Sequence, residues 1–198
     1  MPYVKDLKPG TIVRSGDIDV MVLDQHGACE AIGGTLLCAA SPIGPYSFAF
    51  DKPDYAVSWQ PTNDFSQSYL CNMLNTDFLN RLLQPDGLFR KDAIRLTFWP
   101  LANGTPYWEK RAVSAYVALL SSNQLQTYMT HGLLTLEQPE WTMTPSSYTD
   151  DCIRVANING DMLDVNSKCS VAMVRPVFVI DKNHDIPHSC IKNPIQKG

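Results

Sequence analysis

The feature that most constrains this chain is how rarely it permits a helix. Fourteen prolines and eleven glycines interrupt its 198 residues. One stretch carries a clear apolar stripe at three- and four-residue spacing: Leu70, Met73, Leu74, Phe78 and Leu82. That spacing puts the five side chains on one face and predicts a helix over residues 66–83, capped by Asp64 or Ser66 and ended by Pro85-Asp86-Gly87. A shorter helix is expected after Ser121 or Ser122, through Leu125, Tyr128 and Met129 to a stop at Gly132.

The remainder reads as short β-prone runs between turn residues. Residues 11–13 and 18–23 are strands separated by Gly16-Asp17, and 31–40 and 94–99 are further candidates. Residues 152–158 and 161–165 flank Asn159-Gly160, a strong hairpin signal because both residues tolerate positive φ. Residues 171–180 form a last strand, with Pro176 at an edge or a bulge. Four prolines and five aromatics in 41–63 predict a packed surface loop, and 181–198 a peripheral tail. No repeat or linker divides the chain. The expectation is one α+β domain over 1–198, with its core in about 10–180.

Charge and composition exclude several classes. The net charge is −4, and the basic pair Lys110-Arg111 is too little to displace counterions from phosphates, so no nucleic-acid partner is expected. No apolar stretch reaches membrane-spanning length, so no membrane insertion is expected. Residues 1–6 lack the apolar core of a secretion signal, which predicts folding in a cytosol whatever the final address. The cysteines at 29, 38, 71, 152, 169 and 190 form no C-x-x-C pair, and the histidines at 26, 131, 184 and 188 are scattered. Reduced thiols packed as small hydrophobes are the expectation, with one disulfide as the alternative, and no metal or cofactor is predicted. Asp17 with Asp19, and Asp161 with Asp164, sit beside turn glycines and read as solvated turn carboxylates. No G-x-S-x-G, P-loop or dinucleotide fingerprint is present, so no catalytic residues are assigned. A thiol enzyme using Cys152 or Cys169 near His131 stands as a minority alternative. Arg175 lies in an apolar strand and must point outward or be paired, which suggests anchoring through its planar fork.

Several motifs follow one another in order. Gly10-Thr11-Ile12-Val13 with Val20-Met21-Val22-Leu23-Asp24 looks like a "G-x-x-V … V-L-D" opening. Trp59 followed by residues 68–79, with Asn75 and Phe78, resembles "W … S-x-L-R-x-x-L-N-x-x-F-L". Residues 118–125 resemble "F-L-L-S-x-x-E", Trp141 to Ser146 with Pro145 "W-L-R-S-P", and Met173 to Val177 with Arg175 and Pro176 "G-V-R-P-A". This order is similar to an uncharacterised C-type-lectin-like domain family of Gram-positive bacteria and their phages, distantly like phage tropism determinants and formylglycine-generating enzyme. The resemblance spans about residues 10–180; Met143 and Met173 replace its arginine and glycine. It implies a small twisted antiparallel sheet, two helices and long ordered loops, with Trp59, Asn75, Phe78, Trp141, Pro145, Arg175 and Pro176 as structural signature. Gln84-Pro85-Asp86 copies a lectin calcium-site tripeptide, but no Trp-Asn-Asp follows, and it reads as a turn.

The functional expectation is a non-enzymatic binding module, most readily a phage virion protein assembled in the host cytoplasm. It would act as an adhesin or as a capsid or tail decoration; a bacterial cell-surface protein is the alternative. Its partners would be a host glycan or protein, or other virion subunits. Loop aromatics, with Tyr46, Tyr55, Tyr107 and Trp108 foremost, would carry the contact, because rings give large contact area at low entropy cost. A homo-oligomer is compatible with this, although no heptads support a coiled coil.

Overall fold

The structure, a computed structural model, describes residues 1–24, 34–51, 62–100, 112–149 and 151–192, with backbone only for 44–48, 100 and 112. The chain opens with β1 (Ile12–Ser15), β2 (Ile18–Asp24), β3 (Gly34–Ala39) and β4 (Ile43–Phe48). A helical segment follows: a 3-10 turn at Phe65–Gln67, α1 (Tyr69–Met73), a π turn at Leu74–Phe78, and α2 (Leu79–Leu82). Next come β5 (Ile94–Arg95), β6 (Thr97–Pro100), β7 (Ala112–Ala115), β8 (Val117–Ala118) and α3 (Ser122–Thr130). The chain finishes with β9 (Glu140–Pro145), β10 (Cys152–Ala156), β11 (Met162–Asn166), β12 (Ala172–Val174), β13 (Val177–Asp181) and β14 (Ile191–Lys192). The class is α+β, with two helical segments and almost wholly antiparallel sheets.

Two main sheets stand where one small sheet was expected. The larger runs β14-β1-β2-β3-β13-β5, with β8 also on β13, and the smaller runs β11-β10-β9-β12-β4. The predicted last strand is divided between them: β12 pairs β9 and β4, whereas β13 pairs β3. Arg175 and Pro176 stand at the crossing. Proline has no N–H to give a ladder and breaks the run there. The loop expected at 41–63 contains a strand, β4, at the outer edge of the smaller sheet, where Pro45 removes no ladder bond that an inner strand would need.

The five stripe residues are all buried, but the helix starts later than predicted. Asp64 caps the 3-10 turn through Ser66 N, and Ser68, extended at ψ 153°, caps α1 through Cys71 N. Leu70, Leu74, Phe78 and Leu82 repeat every four residues, longer than the 3.6-residue α period. The wide π turn takes up the surplus and aims Asn75 at β8. Asn75 Nδ2 donates to Cys71 O and Val117 O, while its Oδ1 accepts from Tyr116 N and Val117 N. α3 carries a capping box between Ser121 and Gln124, and Gly132 follows it at φ 69°.

The hairpin at Asn159-Gly160 has a longer loop than a two-residue turn. Asn157 N donates to Asp161 O and Gly160 N to Asn157 O, which leaves Gly160 at φ 85° as a bulge residue. Asn157 Oδ1 accepts from Asn159 N and Asp161 N and so holds the wider loop.

The described part of the expected tail is woven into the fold. Tyr3 bridges Asp185, Ile186 N donates to Pro2 O, Ile186 is fully buried, and β14 closes the edge of β1. One hydrophobic cluster joins both sheets and the helices.

Candidate binding face

β5 and β8 lie end to end along one edge of β13: Ile94 and Arg95 pair Ile180 and Val179, and Val117 and Ala118 pair Phe178 and Val177. The chain between them leaves the sheet as a two-stranded ribbon, β6–β7. One ribbon face is buried through Thr97, Trp99, Val113 and Ala115, and Trp99 Nε1 donates to Ala115 O at 3.0 Å. On the other face Phe98 stands 78% exposed. The register Pro100↔Ala112 sets the residues that flank 101–111 opposite each other.

The residues that flank 52–61 are joined by a side chain. Asp51, 1% exposed, accepts Thr62 N at 3.1 Å and Tyr69 N at 3.2 Å, so one carboxylate closes the segment and holds the start of α1. Asp51 N donates to Ser167 O, Ser167 N to Asp151 O, and Asn166 Nδ2 to Asp151 Oδ2. Asn63 Nδ2 reaches Thr149 O, beside Tyr148, which is 83% exposed. The 3-10 turn at Phe65–Gln67 lies against β7. Asp51, Thr62 and Asn63 therefore join 146–149, 151 and 166–169 at one end of the smaller sheet, stitched by polar bonds, with β7 of the ribbon against the 3-10 turn beside them. We call it the rim.

Tyr55, Trp59, Tyr107 and Trp108 lie outside the described residues, and Tyr46 is described only as part of the β4 backbone. Two other loop aromatics are scaffold. Phe50 is fully buried against Phe65 and Trp141, with centroids at 6.1 and 5.7 Å, and Trp99 is 3% exposed. Among the signature residues, Phe78, Trp141, Pro145 and Pro176 are buried. Arg175 makes a two-pronged ion pair with Glu140, Nε–Oε2 2.9 Å and Nη2–Oε1 2.6 Å, and Nη1 donates to Ala39 O and Ala40 O. Arg175 thus ties the β3 end of the larger sheet to β9 of the smaller. Burial pushes the Glu140 carboxyl above its ordinary range despite the guanidinium.

The sequence reading did not single out Asp51, Asn63, Phe98 or Tyr148. Phe98 is legible in the alternation Thr97-Phe98-Trp99. Asp51 carries no local signal, because its partners are distant in the chain.

The remaining candidate groups are engaged elsewhere. Asp17 pairs Arg81, and Asp19 pairs Arg14 and Lys192, so these turn carboxylates are ion-paired rather than merely solvated. The hydrogen bond from Arg81 lowers the Asp17 pKa. Asp161 accepts from Asn157, and Asp164 lies 3.9 Å from Arg154. Cys38, Cys71, Cys152, Cys169 and Cys190 are all free thiols. Burial pushes Cys38 to about 12 and Cys71 to about 11. At Cys152 a bond with Thr149 favours the thiolate, but burial and the Asp151 carboxylate outweigh it and the pKa rises. Among the described residues no three His, Cys, Asp or Glu side chains gather as a metal site would need. No described helix is long and apolar enough to cross a membrane.

Compared with known proteins, the chain matches no family model, no curated protein and no solved structure.

Proposed function

We propose that this chain is a non-enzymatic binding module of C-type-lectin-like design whose contact surface is built on the rim. The observation that carries this reading is the pairing of anchors. Asp51 binds Thr62 N across residues 52–61 and Pro100 pairs Ala112 across 101–111, so the described residues that bracket Tyr55, Trp59, Tyr107 and Trp108 in the sequence belong to that end or to the ribbon beside it. Tyr148 and Phe98 add exposed rings to that end and to the ribbon leading to it. A rigid scaffold presenting aromatic loops suits recognition of a saccharide or protein surface. The raised thiol pKa values of Cys38, Cys71 and Cys152 make those three thiols poorer nucleophiles, since the thiolate is the reactive form.

The setting is a phage virion, where the module serves as adhesin or decoration and contacts a host surface. The second reading, a cement protein bound only to other virion subunits, uses the same rim against a different partner.

The experiment measures binding of purified protein to host cells and to protein-depleted particles. It compares wild type with Tyr148→Ala and with a Tyr55→Ala/Tyr107→Ala/Trp108→Ala variant. Folded variants that lose at least tenfold in cell binding support the adhesin, and loss only on particles supports the cement. Full retention on both surfaces overturns the rim assignment.

A further inference from the structure

We propose that the free edge of β11 pairs with the same strand of a second copy, making a two-fold dimer with Leu163 on the axis. β11 ends the smaller sheet and meets β10 in unbroken register from Cys152↔Asn166 to Ala156↔Met162. Ser167 N donates to Asp151 O at one end, and Asn157 N to Asp161 O at the other. Bonded and non-bonded pairs alternate in an antiparallel ladder. Leu163 and Val165 therefore bond toward β10, while the N–H and C=O of Met162 and Asp164 point away from it. Among the described residues nothing takes up those outward groups.

The other edges of the two main sheets are short or carry residues that discourage pairing. β14 is two residues long and bears Lys192, and β4 contains Pro45. The edge of β13 is occupied by β5 and β8, with Asn75 locked onto β8. Short strands, lysine and proline are the usual means of protecting an edge. β11 has five residues, Met162-Leu163-Asp164-Val165-Asn166, with no lysine, no proline and no bulge.

Self-complementarity identifies the occupant as a second copy. Leu163 lies opposite Val155 on the core-facing side, yet Leu163 is 49% exposed while Val155 is 1% exposed. An axis through Leu163 sets Met162 opposite Asp164 of the second copy as a bonded pair, so the outward N–H and C=O groups satisfy each other. The two Leu163 side chains then meet in a non-bonded pair, where cross-strand side chains approach most closely. Asp164, the one charge on the strand, faces Met162 of the second copy and keeps its own Arg154. Moving the axis to Asp164 would oppose two carboxylates, which is unfavourable. Because β11 runs toward the rim and its mate runs the other way, the two rims face opposite ends. Resting on the binding role proposed for the rim, the dimer is then a bridge between two ligands.

Sedimentation velocity from micromolar to sub-millimolar protein is the test. Wild type is expected to approach twice the 22.1 kDa chain mass. Met162→Pro, which removes an outward N–H and spares the β10 ladder, and Leu163→Lys are each expected to sediment as monomers with unchanged far-UV CD. Leu163→Cys, oxidised by glutathione disulfide, is expected to give a 163–163 link by peptide mapping, and Val165→Cys no link between its copies. A wild type that stays monomeric throughout overturns the proposal. So does a dimer that survives both Met162→Pro and Leu163→Lys, or one in which Leu163→Cys does not cross-link.

Discussion

Arg175→Met tests how the two sheets are held together. Methionine keeps most of the apolar stem and removes the guanidinium. Glu140 is then left with 1% exposure and no cation, and Ala39 O and Ala40 O lose their charged donor. Removing one member of a buried ion pair costs roughly 3–5 kcal/mol, a large share of the stability of a typical domain. With a urea dependence of about 1–3 kcal/mol per molar, the midpoint should fall by roughly 1–5 M. The loss should also depend on pH, with a definite sign. In the variant nothing offsets burial of Glu140, so its folded pKa lies above its unfolded one. The destabilisation is then full above the folded pKa and fades as the pH falls through it toward the unfolded value. Replacing both partners, as Arg175→Met/Glu140→Leu, removes the stranded charge and should recover most of the loss. Urea unfolding followed by tryptophan fluorescence and by far-UV CD, at neutral and mildly acidic pH, reads all three effects. A loss below about 1 kcal/mol, too small for a buried pair, would refute the reasoning. A double variant no more stable than the single one would refute it equally.

Two further outcomes follow from the same structure. Asn75→Ala strands the backbone groups of Tyr116 and Val117 that the side chain now satisfies, and should cost about 2–4 kcal/mol in urea unfolding; an unchanged midpoint would remove Asn75 as the clamp on β8. Native iodoacetamide labelling near pH 8 should modify exposed Cys169 quickly and leave Cys38, fully buried with its pKa near 12, unlabelled until denaturant is added; comparable rates at the two sites in peptide mapping would contradict the packing of β3.

What was legible beforehand depended on how local the signal is. The stripe from Leu70 to Leu82, the cap before α3 and the turn at Asn159-Gly160 each act within a few residues, so periodicity and turn chemistry identified two helical segments, short strands and the α+β class. The four-residue repeat in that stripe even contained the reason for the π turn, although only Val117 and Tyr116 across the fold give Asn75 its task. Arg175 announced a burial problem, yet its solution, Glu140, lies thirty-five positions away. The division of residues 171–180 between two sheets was likewise invisible, because which neighbour a strand chooses is decided by the whole sheet. The rim is the clearest case. Aromatic residues along the chain suggested a contact surface, but Phe50 and Trp99 went into the core and Phe98 and Tyr148 went to solvent. Side-chain chemistry says that a ring must be packed or used, and only the tertiary packing around it decides which.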